Sequence, residues 1–390
     1  MPRRINILGS TGSIGLNTLD LIRRNADRFT IGALTANSSV EALAGQAREL
    51  HPELAVVADE KLYQDLKSAL AGTGVRVAAG RSGMLEAADL PADWTMAAIV
   101  GAAGLEPTLK TMNKTASIGL ANKECLVSAG DLFMSEIERT KTTLLPVDSE
   151  HSAIFQVLDF ERLEQVERIV LTASGGPFRG WPLDRLETAS PAQALNHPNW
   201  DMGAKITIDS ATMMNKGLEL IEAHYLFPVG TDRIEVVVHP QSIIHSFVEY
   251  TDSSILAQMG MPDMRTPIAC ALAWPERMNT PVPRLDLAAI GKLTFEAPDE
   301  RRFPALRLAR EALQTGNGAP TIMNAANEIA VTAFIAGQLT YLNIARLVED
   351  TLEAATRRGI LCCPMSLDEV MELDGMGRHV ARELLAGRKG

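Results

Sequence analysis

Two carboxylates stand two residues apart directly after an apolar run. Asp148 and Glu150 flank Ser149 at the end of the β-prone segment 143–147. In extended backbone the two side chains point to one side, and close carboxylates repel each other unless a proton or a cation lies between them. Oxygen ligands without cysteine select a hard divalent ion such as Mg²⁺ or Mn²⁺. The pattern indicates a metal site, and it is equally typical of a cap for a helix beginning near Ser152.

A polar string at residues 209–219 offers a second set of groups. If a helix starts early in this string, Asn215, Lys216 and Glu219 share one face by their three- and four-residue spacing. The amide and the ammonium suit a phosphate or sugar hydroxyls, and the Glu219 carboxylate could supply a third metal oxygen. Glu222 has the same geometry relative to Glu219. The alternative is a solvated, salt-bridged helix face.

The interval 174–203 is polar and rich in glycine and proline. A structureless stretch of this length inside a compact domain is usually functional or disordered, so we predict an active-site lid. The lid begins with a loop of backbone donors at Ser174, and Trp200 and Met202 would close over a ligand. His197 is either a turn residue or a substrate contact.

A glycine-rich loop, GSTGSIG at residues 9–15, separates the first apolar run from an amphipathic helix candidate. Glycines let the backbone approach a pyrophosphate, and the helix N-terminus offers free N–H groups. The loop predicts dinucleotide binding, with an ordinary strand-to-helix turn as the alternative. Residues 36–38, at the end of the second strand candidate, include no acid to hold a ribose hydroxyl, which favours NADP over NAD.

The elements that must position these groups follow from the apolar pattern. From residue 5 to 147, seven short apolar runs alternate with helix-like stretches, which predicts a doubly wound, mostly parallel sheet. Four further strand candidates between residues 168 and 259 predict a mixed sheet with an open edge, where a dimer interface commonly forms. Four helix-length segments after residue 300 predict a helical bundle.

Composition excludes several classes of protein. The chain carries 37 Lys and Arg against 48 Asp and Glu, a net charge of −11, which argues against a nucleic-acid or anionic-membrane binder. The four cysteines have no metal-site spacing, so a reducing cytoplasm fits best. No apolar run approaches the roughly 20 residues of a spanning helix, so we expect no membrane association.

Six strings, in order along nearly the whole chain, resemble the 1-deoxy-D-xylulose 5-phosphate reductoisomerase family. They are GSTGSIG at 9–15, LANKE at 120–124, VDSEH at 147–151, SGGPF at 174–178, DSATMMNKGLE at 209–219 and PQSIIHS at 240–246. An eleven-residue string among them makes chance agreement negligible.

The resemblance implies an oxidoreductase that uses NADPH and a divalent cation, Mg²⁺, Mn²⁺ or Co²⁺. Its substrate would be a phosphorylated sugar, 1-deoxy-D-xylulose 5-phosphate, converted to 2-C-methyl-D-erythritol 4-phosphate in non-mevalonate isoprenoid synthesis. The expected α/β organisation is a Rossmann-like NADPH-binding domain (1–147), a catalytic, metal-binding and dimerisation domain with a mobile lid (148–273), a linker (274–299) and a C-terminal α-helical domain (300–390). The central domain would form a homodimer.

The resemblance also implies roles for individual residues. The metal ligands would be Asp148, Glu150 and Glu219, and the catalytic residues Lys123, Ser149 and Glu150. The substrate contacts would be Lys123, Ser149, Ser174, His197, Trp200, Met202, Ser210, Asn215, Lys216 and Glu219. The cofactor contacts would be Ser10, Thr11, Gly12, Ser13, Ile14, Ala36, Asn37, Ser38, Asn122, Glu124 and Gly203.

Two rival hypotheses remain open from the sequence. A simple NADP-dependent dehydrogenase shares the nucleotide fold but needs no site of three carboxylates. A nucleotide-sensing regulatory protein would use the glycine loop and a partner-binding helical domain, and it would not need Asp148, Glu150 and Glu219 together.

Overall fold

A computed structural model describes residues 2–200 and 202–388, so Asp201 of the predicted lid lies outside the described residues. The chain folds into two compact units, each built from several segments. The first unit comprises Met1–Cys125, Phe133–Ser152 and Asp263–Val282, and the second comprises Leu126–Leu132, Ala153–Pro262 and Pro283–Gly390.

Seven parallel strands form the sheet of the first unit, as far as the described residues extend. They are β1 (Arg3–Leu8), β2 (Phe29–Ala36), β3 (Leu54–Val57), β4 (Arg76–Ala79), β5 (Ala92–Ala97), β6 (Thr115–Leu120) and β7 (Thr143–Pro146). Ile5, Ile7 and Leu8 on β1 are all fully buried. Strands buried on both faces are typical of a parallel sheet covered by helices.

The helices between these strands are α1 (Ser13–Arg23), α2 (Val40–Leu50), α3 (Tyr63–Ala69), α4 (Gly80–Ala88), α5 (Leu105–Thr111), α6 (Glu124–Val127) and α7 (Gly130–Thr140), and α8 (Ser149–Val157) follows β7. The strand order is β4-β3-β2-β1-β5-β6-β7. The order reverses between β1 and β5, and in open sheets ligands bind at the carboxyl ends of the strands at such a point. The predicted doubly wound, Rossmann-like fold is confirmed.

The second unit contains a four-stranded mixed sheet, which confirms the second sheet predicted from the sequence. Its strands are β8 (Val166–Ala173), β9 (Ile234–Val238), β10 (Ile244–Tyr250) and β11 (Ile255–Met259), in the order β11-β10-β8-β9. β8 and β9 are parallel, whereas β10 pairs antiparallel with both β8 and β11. β11 is an edge strand.

The interval 174–203 is less open than the sequence predicts. It contains two short helices, α9 (Leu183–Leu186) and α10 (Pro191–Ala194), before α11 (Ala204–Ala211) and α12 (Met214–Leu226). Phe178, Leu186, Ala189 and Ala194 are buried in a hydrophobic core of the second unit. The prediction of a structureless interval is therefore wrong up to about residue 195, because apolar side chains spaced along it anchor the chain.

Helices dominate the remainder of the chain. They are α13 (Arg265–Ala273), α14 (Leu287–Ile290), α15 (Ala305–Thr315), α16 (Ala319–Ile335), α17 (Tyr341–Arg357) and α18 (Leu367–Gly387). The four long helices match the predicted bundle, and α16 packs against both α17 and α18. α13 instead packs against α1 in the first unit, although its sequence lies at the end of the predicted catalytic segment.

Across residues 2–200 and 202–388, none of the helices combines the length and the apolar character needed to span a bilayer.

Candidate active site

The glycine loop after β1 requires glycine at two positions. Gly9 has a φ of +95°, and a Cβ there would lie 2.7 Å from the carbonyl oxygen of Ala98, just beyond β5. A Cβ on Gly15 would lie 2.3 Å from the Gly9 oxygen. Such contacts exclude any side chain, so the backbone turns tightly into α1. The loop lies at the crevice between β1 and β5, where a pyrophosphate would meet the helix N-terminus.

The residues of this loop and of the β2 end differ in accessibility. Ser10 is fully buried, and its hydroxyl bonds to the Thr35 carbonyl (3.2 Å) and to Gln46 Oε1 (2.7 Å). The other predicted cofactor contacts of the loop are partly or fully exposed, namely Thr11, Gly12, Ser13 and Ile14. At the end of β2, Ala36 is buried whereas Asn37 and Ser38 are exposed before α2. Ser10 therefore braces the loop from within.

Asn122 uses its side chain to hold backbone in place. Its Nδ2 donates to the carbonyls of Ile99 and Gly101, the latter at 2.9 Å, and its Oδ1 accepts from Cys125 N at 2.9 Å. These contacts tie the chain after β5 to the start of α6, where the predicted cofactor contact Glu124 is buried. Asn122 thus shapes the cofactor side of the sheet edge.

The carboxylates of the first unit meet a lysine at the ends of neighbouring strands. β6 and β7 pair in parallel, with Leu120 opposite Pro146, so Lys123 and Asp148 leave the sheet side by side. Lys123 Nζ forms an ion pair with Asp148 Oδ2. Ser149 Oγ donates to Glu150 Oε2 at 2.7 Å. The ammonium of Lys123 and the hydroxyl of Ser149 thus donate to the predicted carboxylate ligands Asp148 and Glu150.

Asp148 also caps α8, so the helix-cap interpretation of the carboxylate pair is compatible with the metal-site interpretation. Its Oδ1 accepts hydrogen bonds from the backbone N–H groups of Glu150 (3.1 Å) and His151 (3.4 Å). The cap uses one oxygen, and the other oxygen contacts Lys123. The helix start therefore fixes the direction of the Asp148 carboxylate.

In the second unit, Asn215, Lys216 and Glu219 lie on one face of α12, as the sequence predicts. Asn215 Nδ2 and Lys216 Nζ donate to the two different oxygens of the Glu219 carboxylate. Glu219 is 0% exposed and Lys216 is 4% exposed. The alternative of a solvated helix face is wrong here, because buried charges must be paired or bind an ion. Glu222 on the same helix is also buried.

His197 and Ser174 form a hydrogen-bonded pair in the second unit. The His197 Nε2 to Ser174 Oγ distance is 2.9 Å, and Nδ1 accepts from the backbone N–H groups of Asn199 (3.1 Å) and Trp200 (3.0 Å). Two donors aimed at Nδ1 require the proton to sit on Nε2. Burial lowers the pKa of His197 below its usual value near 6.5, which favours this neutral ring.

The loop at Ser174 lies directly against the segment that carries Ser210. Gly176 has a φ of +65°, and a Cβ there would lie 2.7 Å from the Ser210 carbonyl oxygen. The N–H of Gly176 donates to Ser174 Oγ at 3.2 Å. Glycine is required because its backbone touches the Ser210 backbone. Two predicted substrate segments, 36 residues apart in sequence, are therefore neighbours.

Among the described residues, the later part of the predicted lid is held by hydrogen bonds and a ring contact and adds no side chain to the hydrophobic core. The Trp200 ring lies 6.4 Å from the His245 ring, and the Met202 carbonyl accepts from Thr207 Oγ1 at 3.4 Å. Asn199 Nδ2 donates to the Pro240 carbonyl and, at 3.2 Å, to Ser242 Oγ. Gly203 is exposed at the start of α11.

The sequence analysis missed two polar residues that hold the helix carrying Ser210, namely Asp209 and Tyr341. Asp209 is almost fully buried, and its carboxylate accepts from Asn327 Nδ2 at 2.8 Å and pairs with Lys205 at 3.0 Å. Tyr341 Oη donates to the Ala211 carbonyl at 2.6 Å. Asp209 stood inside a quoted motif, but no local pattern could reveal partners more than 100 residues away.

Comparison with known proteins gives consistent matches over the whole chain. Family models match residues 5–130 (1-deoxy-D-xylulose 5-phosphate reductoisomerase), 144–227 (1-deoxy-D-xylulose 5-phosphate reductoisomerase C-terminal domain) and 259–380 (DXP reductoisomerase C-terminal domain). A 1-deoxy-D-xylulose 5-phosphate reductoisomerase from Rhodospirillum centenum is 58% identical over 388 residues, covering 100% of this chain and 96% of the relative. The enzyme of the same name from Caulobacter vibrioides is 55% identical over 390 residues, covering 100% and 98%.

Solved structures agree in fold. The reductoisomerase from Zymomonas mobilis in complex with NADPH superposes with a TM-score of 0.93 at 52% identity, covering 98% of each chain. A DOX-P reductoisomerase in complex with NADPH, fosmidomycin and magnesium gives a TM-score of 0.95 at 43% identity, covering 99% of each chain.

Proposed function

The chain belongs to the 1-deoxy-D-xylulose 5-phosphate reductoisomerase family, and on this premise we propose how its residues divide the work of the reaction. The chain is an NADPH- and metal-dependent enzyme that converts 1-deoxy-D-xylulose 5-phosphate into 2-C-methyl-D-erythritol 4-phosphate. Bound divalent metal polarises the hydroxyl and carbonyl oxygens of the substrate, and NADPH supplies the hydride.

The proposed metal ligands are Asp148, Glu150 and Glu219. The observation that carries this assignment is the chemistry of the donor set, three carboxylates and no cysteine, which fits magnesium. Lys216 and Asn215 hold the buried Glu219 carboxylate in a fixed position. Lys123 holds positive charge at Asp148.

Close to the reacting carbons we assign Lys123, Ser149 and Glu150 as catalytic residues. The Ser149 hydroxyl is oriented by its hydrogen bond to Glu150, so one of its lone pairs stays available to a substrate hydroxyl. Lys123 can stabilise negative charge that develops on a substrate oxygen, because its ammonium is held at the end of β6.

For the phosphate we propose a pocket made by Ser174, His197, Ser210, Asn215 and Lys216. Its support is the contact between the Ser174 loop and the Ser210 backbone, together with the fixed donors of Asn215 and Lys216. Holding the phosphate far from the reacting carbons keeps the substrate in register for hydride transfer. Trp200 and Met202 would cover the bound substrate.

NADPH would bind along the carboxyl edge of the first sheet, with its 2′-phosphate near Asn37 and Ser38. These residues are exposed beside the N-terminus of α2, which attracts negative charge. We assign the remaining cofactor contacts as the sequence implies, with Ser10 and Asn122 contributing through the backbone that they brace. Gly203 would lie at the lid side of the nicotinamide.

We further propose four segments along the chain: a nucleotide-binding domain (1–147), a central domain (148–273), a linker (274–299) and a helical domain (300–390). Two copies of the chain would form a homodimer through the central domain. The support is β11, an edge strand on which the adjacent residues Ile255 and Leu256 are 55% and 49% exposed. Adjacent strand residues point to opposite faces, so both faces of this edge are open. An apolar open edge is a template for pairing with a second copy. The free thiols of all four cysteines support a cytoplasmic location.

One assay separates this function from its rivals. NADPH oxidation is followed at rising concentrations of 1-deoxy-D-xylulose 5-phosphate, with Mg²⁺ and with EDTA. We expect substrate-dependent oxidation that EDTA abolishes and Mg²⁺ restores. Oxidation insensitive to EDTA would favour a simple dehydrogenase, and NADPH binding without turnover would favour a regulatory protein.

A further inference from the structure

We propose that Tyr341, the first residue of α17, is a positioning residue for the substrate phosphate pocket. The inference rests on the proposed function, which places Ser174 and Ser210 against the phosphate. It assigns a task in the reaction to the C-terminal helical region, which otherwise supplies packing. Tyr341 acts from behind the pocket through two contacts, one polar and one aromatic.

The polar contact is made by the phenol group. Tyr341 Oη donates to the carbonyl oxygen of Ala211, the last residue of α11, at 2.6 Å. The last carbonyls of a helix have no partner within the helix. Here the Ser210 carbonyl is satisfied by Met213 N at 3.2 Å, and the Ala211 carbonyl by Tyr341. The phenol thus fixes the end of the helix on which Ser210 lies.

The aromatic contact reaches the other phosphate segment. The Tyr341 ring meets the Phe178 ring edge to face, with centroids 4.9 Å apart and an interplanar angle of 83°. Phe178 is fully buried and ends the loop that begins at Ser174. Aromatic pairs in this arrangement have a preferred geometry, so the ring orients the loop as well as filling space.

The two segments held by Tyr341 also touch each other. Gly176, between Ser174 and Phe178, packs on the Ser210 and Ala211 backbone at a distance that leaves no room for a Cβ. A displacement of the α11 end would therefore be transmitted to the Ser174 loop. One side chain sets the relative position of both hydroxyls.

The phenol is suited to a fixed structural bond. Tyr341 is only 3% exposed, and burial raises the pKa of its phenol far above the usual value, so it remains a neutral donor. A phenylalanine would keep the ring contact with Phe178 and leave the Ala211 carbonyl without its partner. A buried carbonyl that loses its partner shifts toward another donor, which moves Ser210.

The test compares Tyr341→Phe with Thr351→Val. Thr351 lies ten residues further along α17, is fully buried, and donates to the Leu347 carbonyl at 2.6 Å within its own helix. Both variants remove one buried hydroxyl from the same helix, so both should lower the Tm. Only Tyr341→Phe should raise KM for 1-deoxy-D-xylulose 5-phosphate, by about three- to tenfold. KM for NADPH should stay unchanged in both variants.

Ser210→Ala and the double variant complete the experiment. If Tyr341 acts through Ser210, its effect on KM should shrink in the Ser210→Ala background, because contacting residues are not additive. An unchanged KM for Tyr341→Phe, or strictly additive effects of the two substitutions on KM, would overturn the inference. The proposed function would still be supported in that case if Ser210→Ala raised KM. A wild-type enzyme that fails to turn over this substrate would instead overturn the proposed function, and the inference with it.

Discussion

At the residue scale, each unit pairs one predicted metal ligand with a lysine that lies close to it in the fold. Lys123 contacts Asp148, and Lys216 contacts Glu219 on the same helix. An ammonium beside a carboxylate stabilises the charged form and holds it ready for a metal ion. The two carboxylates are therefore held in fixed positions beside a positive charge, and amide replacements should change their shape little.

Glu219→Gln should lower kcat at least ~100-fold and raise the Mg²⁺ concentration needed for half-maximal rate, because a stabilising charge is lost. NADPH binding, measured by fluorescence, should change little. Glu222→Gln is the matched control, since Glu222 is buried on the same helix one turn away. A raised Mg²⁺ requirement in Glu222→Gln together with a normal Glu219→Gln would show that the ligand assignment is wrong.

A second prediction concerns pH and His197. Burial lowers the pKa of His197, so the folded state favours the neutral ring whose Nδ1 accepts from Asn199 and Trp200. This contribution is fully present above pH 6.5, the usual pKa of the unfolded state, and is lost as the pH falls through the lower folded pKa. In the folded enzyme the ring is protonated only as the pH falls through this lowered pKa, so KM for the substrate should rise there and not already at pH 6.5.

His197→Asn provides the comparison, because an amide oxygen near the Nδ1 position can still accept hydrogen bonds but does not titrate. The substrate phosphate titrates with a pKa near ~6 in both assays, so its effect cancels in the ratio of wild type to variant. The variant should show a higher KM at neutral pH and a flatter rise toward pH 5.5. Identical pH profiles would contradict the role of His197.

At the element scale, the lid is anchored over most of its length. α9, α10 and the residues between them bring Leu186, Ala189 and Ala194 into the core, and Ser190 caps α10 with a reciprocal bond to Gln193. Arg185 stacks on the Trp181 ring at 3.7 Å. Backbone with such anchors opens rarely, whereas the described residues 196–200 and 202–203 are held mainly by hydrogen bonds and add no side chain to that core. We therefore expect lid motion to begin near residue 196.

Limited proteolysis with chymotrypsin should cut after Trp200 in the free enzyme and leave the chain after the buried Phe178 intact. NADPH, Mg²⁺ and fosmidomycin together should suppress the cut after Trp200, because closure over the ligand orders the lid. Phe160, which is 43% exposed and lies outside the lid, is the internal control. Cleavage after Trp200 that the ligands leave unchanged would count against a lid.

At the scale of the whole molecule, exposed apolar side chains gather on the edge of the second sheet. β11 presents Ile255 and Leu256 beside a row of unpaired backbone groups on its outer side. Monomeric proteins usually protect such an edge with charge, proline or a bulge. An edge left apolar indicates pairing with another copy of the chain.

Leu256→Lys should shift the proposed dimer toward monomer, because a charge on the edge opposes strand pairing. Mass measured by light scattering during size-exclusion chromatography reports the change. Leu287→Lys is the control, as Leu287 is 61% exposed on α14, away from β11 in sequence. A wild-type protein that elutes as a monomer, or a Leu256→Lys variant that stays dimeric, would contradict the proposed interface.

The sequence by itself determined the elements and the family. Apolar runs alternating with helical stretches predicted the parallel sheet, and the glycines at 9 and 15 proved necessary at a turn where no side chain fits. These features are local, because strand and helix periodicities and the conformational freedom of glycine act over a few residues. The string 209–219 likewise predicted the face that joins Asn215, Lys216 and Glu219 within one helix.

Only the tertiary structure decided which distant residues support that site. Asn327 reaches Asp209 across 118 residues, and Tyr341 reaches Ala211 across 130. The anchoring of the lid by buried apolar side chains was also invisible, because glycine and proline content reports local backbone preference and not the core against which a segment packs. Such contacts depend on how α16 and α17 pack, and no short stretch of sequence encodes that arrangement.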